Sequence, residues 1–508
     1  MMSLAANLST TTEASIVPNE LDDTKSLTKS MPFAHEPQLH RVPWVPPVAV
    51  GAQGIYIDLE DGTRIIDGVG GAAVNCIGSG HPKVLQAISE QLQKITYVYN
   101  VQLLNQPSQE LAKHLISVSE GAFAQCFFVS GGSEAMEAVI KLARQYFWEI
   151  SQPERRYFIA RKQSYHGNCL GTLALSHHPG RRAPYEAILN HDVFHHVSPA
   201  YYKRYAREGE SEEEYVQRLA DEVDAKFQEL GPGNVIGFVA EPVVGATQGV
   251  TYAPKGYFAA INKICEKYGA LLIYDEVMCG MGRMGSTYHA WQNPNSYTDG
   301  IPPDIQAVAK GLGGGYGSIG AVLLNRQIAD GLRQGSNYLQ HGHTYQAHPL
   351  AAAASVAVQN VIKEDNLLES AEKVGVYLEK RLHESLTSLD APCAPYIYDI
   401  RGGGCFWGIE LQIPDSILEG QYFKKERLAG RVQARAMENG LVLMGMSGGV
   451  DGKKGEFLML SPAYNITETE MDELTRRLVK SIMEVLADSK IQNLFKDDRV
   501  SMKGIKEM

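Results

Sequence analysis

The 508-residue chain has no Cys-x-x-Cys pair, no apolar run near the ~18 residues of a membrane span, and no excess of positive charge. Each absence removes a class of function. Its 47 Lys and Arg stand against 58 Asp and Glu, a net charge of −11, which argues against a nucleic-acid or anionic-membrane partner. Seven cysteines, an odd number, do not make a disulfide framework, and a reducing compartment is the simpler expectation. Residues 1–24 carry Glu13, Glu20, Asp22 and Asp23 but no arginine, and no basic stretch precedes an apolar one. Neither a secretory signal nor an import peptide is expected, which leaves the cytoplasm. The phosphate-loop motif Gly-x-x-x-x-Gly-Lys-[Ser/Thr] is missing, as is His-Glu-x-x-His, so no metal site is expected. The glycines at 311–317 fail Gly-x-Gly-x-x-Gly because Tyr316 holds the third glycine position. Gly445–Gly449 does match Gly-x-Ser-x-Gly, but VDGKKG follows where a nucleophile elbow needs a helix.

What is present is an ordinary globular composition, 44% hydrophobic and 21% charged, long enough for several packed units. Residues 1–40 are polar and aperiodic and read as a flexible arm, and 488–508 as a tail. Two apolar runs flank Asp61-Gly62, a hairpin signal. Pro82 opens a helix with Val84, Leu85, Ile88 and Leu92 on one face. Between about 105 and 325, short apolar runs (126–130, 156–160, 235–240, 270–277, 320–325) alternate with helical patterns. Such runs predict a buried, mainly parallel sheet. Residues 203–230 read as an exposed, charged helical insertion, and 349–385 as one long helix. Strand signals then precede a last helix, a pattern that suggests a smaller α+β domain. The expected boundaries are 41–85 (joining the small domain), 86–348 (large domain) and 349–487 (small domain).

Four segments share one chemistry. In FFVSGGSEAMEAVIKLAR (127–144) a strand ends at glycines, and Ser133 is expected to cap a helix with Met136, Ile140 and Ala143 on its apolar face. Free backbone N–H groups at such a helix start suit a phosphate. In SYHGN (164–168), Tyr165 and His166 could stack on a planar ring. In LLIYDEV (271–277), a buried strand ends in Asp275-Glu276, where ligands of α/β sheets bind. A buried Asp needs a cation, which a protonated pyridine nitrogen would supply. In AVAKGLGGGYG (307–317), Lys310 closes an apolar run, a setting that lowers an amine's pKa and makes it a nucleophile. Together these are the parts needed to hold pyridoxal 5′-phosphate on a lysine with its ring nitrogen paired to an acid.

In order and wording these blocks resemble the class III pyridoxal-phosphate aminotransferases, the fold-type I group of ω-amino acid and amine transaminases. GIYIDLEDGTRIIDGVGG, GSGHPKV, EPVVGATQG, HGHTYQAHPLAAAA and IRGGGCFWGIEL add to the likeness, which spans about Gly51 to Leu486. The resemblance implies an α/β fold: a large domain with a mainly parallel sheet between helices, and a smaller α+β domain. It implies that Lys310 is the imine lysine, Asp275 the acid on the ring nitrogen, Val277 the residue beneath the ring and Tyr165 the one above, with His166 beside it. Gly131, Gly132 and Ser133 would form the phosphate loop, with Gly131 where many members have Ser. Glu241 would be a carboxylate of the cofactor pocket. Thr344 would reach the phosphate of a partner subunit, implying a homodimer with shared active sites. Arg401 matches an arginine that several members use for a substrate carboxylate, the bland alternative being a structural salt bridge. Tyr97, Tyr99 and Trp407 are candidate walls. Ala246 replaces the glutamate that masks the arginine in members acting on ornithine or 4-aminobutyrate, and so leans towards amine–pyruvate transfer. The implied reaction moves an amino group from an amine or ω-amino acid to pyruvate or 2-oxoglutarate by a ping-pong route. Decarboxylation, racemisation or epimerisation, and aminomutation on the same scaffold are alternatives, as is a silent cofactor-binding scaffold.

Overall fold

A computed structural model describes residues 37–42, 44–295, 297–412, 427–488 and 491. Nearly all of the expected arm and tail therefore lies outside the described residues. The chain divides into two units, 1–47 and 48–508, and every element below belongs to the second.

The second unit is organised by a seven-stranded sheet: β1 (Gln125–Val129), β2 (Tyr157–Arg161), β3 (Phe194–Val197), β4 (Val235–Ala240), β5 (Leu271–Asp275), β6 (Ile305–Val308) and β7 (Gly320–Leu324). Their spatial order is β1-β7-β6-β5-β4-β2-β3. All adjacent pairs are parallel except those of β7, which runs antiparallel to β1 and β6. Every residue of β4, β5, β6 and β7 is buried, as strands covered on both faces must be. Side chains alternate between two cores. Phe238, Leu272 and Tyr274 enter one, beneath the helices Glu212–Leu230 and Tyr257–Tyr268. Ile236, Val239 and Ile273 enter the other, with Met136, Val139 and Leu142 of the helix Gly132–Glu149.

Two further four-stranded sheets belong to the same unit. The hairpin about Asp61-Gly62 forms from Tyr56–Leu59 and Arg64–Asp67. Its second strand takes Leu441–Val442 as a parallel neighbour, joining the early and late parts of the chain. Ile397–Gly403, Phe406–Leu411, Glu456–Leu460 and Met444–Ser447 make a four-stranded antiparallel sheet.

Several local expectations are corrected. Residues 203–230 are no exposed insertion. Ser211 caps a helix whose Tyr215, Leu219, Val223 and Phe227 are buried, and only its other face is charged and solvated. The stretch 349–385 is two helices, Pro349–Glu364 and Leu367–Leu386, broken where Asn366 turns left-handed (φ 52°), a conformation asparagine tolerates. In Pro82–Lys94, Val84 is buried, but Leu85 and Leu92 are about half exposed, so part of its apolar stripe faces outward. Strands β3 and β6 lack the continuous apolar run of the others, because His195, His196 and Gln306 interrupt it.

Candidate active site

Strand register assembles the site. Tyr274 pairs with Ala240 and Asp275 with Ala307. Glu241, Asp275 and Lys310 therefore emerge side by side from the carboxyl ends of β4, β5 and β6, where open α/β sheets bind ligands.

At the neighbouring end of β1 the chain turns through Ser130 and Gly131 into the helix Gly132–Glu149. Gly131, at the N-cap, is extended (φ −178°) and caps with no side chain. The first amides of the helix thus lack an intrahelical acceptor and remain for an anion. Ser133 sits inside the first turn and does not cap it. Its Oγ accepts from the Asn168 N–H (3.0 Å), tying the Tyr165–Asn168 loop to the helix start. A Cβ on Gly132 would stand 2.5 Å from Val277 Cγ1, so only glycine permits this approach. Gly132→Ala is expected to cost about 1–3 kcal/mol in overpacking, felt between Val277 and the helix start. Cofactor affinity should fall at least about tenfold in a fluorescence titration.

Asp275 is almost fully buried. Its Oδ1 accepts from the Val277 N–H (3.0 Å), and its Oδ2 from His166 Nδ1 (2.9 Å). Glu241 Oε1 accepts from the Tyr165 N–H (3.0 Å) and Oε2 from the Gly245 N–H (3.2 Å). Burial pushes the Glu241 carboxyl up and Asp275 adds to this, while His166 opposes it. Glu276, one residue on from Asp275, accepts from the backbone N–H groups of Ala290 (2.8 Å) and Trp291 (3.2 Å) instead. Burial holds its carboxyl at about 8. Adjacent acids thus do different work, one at the cavity and one anchoring a turn.

Lys310 follows β6 in a left-handed conformation (φ 46°), and its carbonyl accepts from Gly313 and Gly314 in a tight turn. Desolvation lowers its amine to about 8, although Asp275 and Glu241 pull the other way. It is the poised, partly neutral amine that nucleophilic attack on an aldehyde requires.

One cavity of about 280 Å³ brings together Gly131, Gly132, Ser133, Tyr165, His166, Glu241, Asp275, Val277 and Lys310. Val74, Ser130, Met278, Ser318 and Ile319 also line it and were not singled out in the sequence, where nothing marks such residues. The lining suits a phosphorylated pyridine aldehyde. It offers free amides at one end, an amine, a flat clamp of Val277 and Tyr165, and a buried carboxylate. His166 Nε2, buried without a partner, leaves a polar atom for a ligand to satisfy.

Five expected residues, Tyr97, Tyr99, Thr344, Arg401 and Trp407, do not line this cavity. Tyr99 and Thr344 are exposed, and the Tyr97 hydroxyl donates to the Thr344 carbonyl (2.9 Å). Arg401 lies at a second cavity, with Tyr201, Thr251 and Asp399. Its Nη1 donates to Glu410 (2.7 Å), Tyr201 (3.0 Å) and Asp399 (3.1 Å), its Nε to Thr251 (3.1 Å) and its Nη2 to the Gln248 carbonyl. These contacts are those of the structural salt bridge. Trp407 is core, donating from Nε1 to the Gly404 carbonyl (2.9 Å).

Comparison with known proteins agrees with this geometry. The sequence model of the aminotransferase class-III family matches residues 40–482. An aminotransferase of Schizosaccharomyces pombe is 40% identical over 463 residues, 91% of this chain and 97% of the relative. Gamma aminobutyrate transaminase 3 of Solanum lycopersicum is 30% identical, over 88% of this chain and 82% of its own. Among solved structures, the ω-transaminase of Pseudomonas jessenii in complex with PMP superposes with a TM-score of 0.78 at 29% identity, covering 88% of this chain and 94% of that one.

Proposed function

Because the chain belongs to the class-III aminotransferases, pyridoxal-phosphate enzymes of fold-type I that transfer amino groups, we propose that Lys310 and Asp275 are its catalytic pair, acting on an amine donor and a keto acid. The observation that carries this is the desolvated amine and the buried carboxylate on one cavity at adjoining strand ends. Bound pyridoxal 5′-phosphate supplies an aldehyde for the amine and a protonated ring that withdraws electrons from the neighbouring C–H bond. Lys310 Nζ accepts the proton from the amine-bearing carbon of the donor, as general base. Asp275 holds the proton on the ring nitrogen by a charge-assisted hydrogen bond, and His166 orients Asp275. The helix-start amides at Gly132 and Ser133 would hold the phosphate and Val277 and Tyr165 would bracket the ring, while Glu241 holds the Tyr165 loop in place.

The donor class follows from charge. Among the described residues lining the cavity, Lys310 is the sole lysine or arginine, and Ala246 contributes a methyl group. Arg401 is occupied by Glu410 and Asp399. This supports monoamines over ω-amino acids as donors. An amine panel assayed with pyruvate and 2-oxoglutarate tests it. Alanine or glutamate should form, with kcat/KM at least about tenfold higher for a monoamine than for 4-aminobutyrate. An amine product without amination of the keto acid would mean decarboxylation, and a preference for 4-aminobutyrate would reject the donor class.

A homodimer with Thr344 at the partner's phosphate belongs to the same reading. Asn100 Nδ2 donates to the carbonyls of His343 (3.2 Å) and Gln346 (2.9 Å), stitching together two stretches that expose Val101, Leu104 and Tyr345. Large apolar side chains exposed in this way suit burial against a second copy. Sedimentation velocity should give twice the chain mass, and a monomer would reject shared sites. All seven cysteines are free thiols, which supports a reducing, cytoplasmic setting. No helix among the described residues is long and apolar enough to cross a membrane. The pairing of Leu441–Val442 with Arg64–Asp67 supports grouping that early strand with the smaller domain.

A further inference from the structure

Behind Lys310 lies a buried cation that the reaction so far does not use. Arg283 is 1% exposed. Its Nη1 donates to the carbonyls of Cys405 (3.1 Å), Ser461 (3.0 Å) and Pro462 (2.6 Å), and its Nη2 to that of Asn75 (3.1 Å). Its Nε is buried without a partner. Among the described residues no carboxylate lies within ion-pair distance of it. A guanidinium is always charged, and burying it without a counter-ion is costly. Four carbonyls need donors, which a neutral side chain could supply. The charge itself is what the packing leaves unexplained.

Its surroundings lead to the reactive lysine. The guanidinium lies 4.8 Å from the ring centre of Tyr464, whose hydroxyl donates to the Met281 carbonyl (3.0 Å). A Cβ on Gly311, the residue after Lys310, would stand 3.5 Å from that hydroxyl. The Gly311 carbonyl in turn accepts from Gln359 Nε2 (3.1 Å) and faces Cys76 Sγ (3.5 Å). The left-handed Lys310–Gly311 turn therefore rests on Tyr464, and Tyr464 on Arg283.

We propose that Arg283 is a positioning residue for Lys310, its uncompensated buried charge disfavouring a second positive charge on the lysine while its hydrogen bonds fix the floor beneath the turn.

The groups facing the pair are consistent with this. Asp275 and Glu241 favour the charged amine, while the buried Cys279 thiol, raised by desolvation, stays neutral. After desolvation, Arg283 is the opposing influence. On the far side, burial holds the Cys76 and Cys405 thiols at about 12 and raises the Tyr464 hydroxyl, so these stay neutral at pH 7. The Asp67 carboxyl is raised by burial, while its hydrogen bond from the Val69 N–H (3.2 Å) and, more weakly, the charge of Arg283 oppose this.

The inference rests on Lys310 being the reactive lysine, and the test separates the two. Full-length wild type, Arg283→Met and Arg283→Lys are purified with cofactor, and the visible spectrum of each is titrated with pH. After cofactor removal, trace acetylation by acetic anhydride from pH 6 to 10 is mapped by peptide mass spectrometry, with exposed Lys94 as reference. In Arg283→Met, Lys310 should acetylate about tenfold more slowly than wild type at pH 7, as one lost nearby charge implies, yet within about twofold at pH 10. The spectral midpoint should move to higher pH, and Arg283→Lys should stay within about twofold throughout. Arg283→Gln, which keeps donors for the carbonyls, repeats the test if the Met variant does not fold. Equal rates at pH 7, or a loss of the same size at every pH, would overturn the proposal. Wild-type Lys310 no more reactive than Lys94 at pH 7 would instead reject the assignment of the reactive lysine.

Discussion

Lys310→Ala is expected to leave a folded chain that turns over more than about 10³-fold slower, because no other amine among the described residues lines the cavity to carry the donor's proton. Folding should survive. Lysine and alanine carry a similar penalty at φ 46°, and the substitution removes an amine whose burial opposes its charge. The sign can be worked out for the cofactor-free protein. The amine titrates at about 8 when folded, below its ordinary value of 10.5. Between those values the unfolded chain binds a proton that the folded chain does not, so wild-type stability rises with pH from about 8 to 10.5. Urea unfolding at pH 8 and pH 10.5 should show that gain in wild type and its loss in Lys310→Ala. The variant should also lack the visible absorbance of lysine-bound cofactor. Residual turnover above about one per cent of wild type would remove Lys310 from the mechanism.

Asp275→Asn is expected to lower kcat by about 10²–10³-fold, the range for losing one preorganised electrostatic contact. The amide keeps the shape and can still meet His166 Nδ1 and the Val277 N–H, but it cannot hold a proton on a ring nitrogen by charge. Asp275→Glu, which restores charge with an extra methylene, should fall between the two. A second readout separates this role from packing. Asp275 is the largest influence favouring the charged form of Lys310, so its neutralisation should drive the lysine below about 8. Lys310 labelling would then become faster at pH 7 while turnover falls. Turnover within tenfold of wild type would mean that the ring proton is held elsewhere.

Much of the central sheet could be read in advance because strands buried on both faces are nearly continuous apolar runs. The two strands that lack such a run carry polar residues that tertiary contacts satisfy. Gln306 in β6 accepts from Trp291 Nε1 (2.9 Å) and meets His289 Nδ1 at 2.7 Å, partners fifteen and seventeen residues away. Lys310 was legible from its glycine-rich flank, and Asp275 from its place at a strand end. That Glu276 turns away to the Ala290 and Trp291 amides follows only from tertiary packing. Arg401 shows the reverse case. A motif position suggests a free cation, but Asp399 on its own strand, Glu410 on the neighbouring strand and Tyr201 from a distant segment converge on it, and the last of these no local pattern foretells. Arg283 drew no notice, since GMGR offers a turn and one arginine; its burial needs carbonyls from three distant stretches.

The chain alone determined the kind of sheet and which side chains are candidates to carry chemistry, since both depend on local pattern: apolar runs, glycine turns and a lysine without charged neighbours. Only the folded arrangement decided which charges are compensated and which are left bare, because burial and counter-ions come from segments hundreds of residues apart, and the protonation of Lys310 depends on their sum.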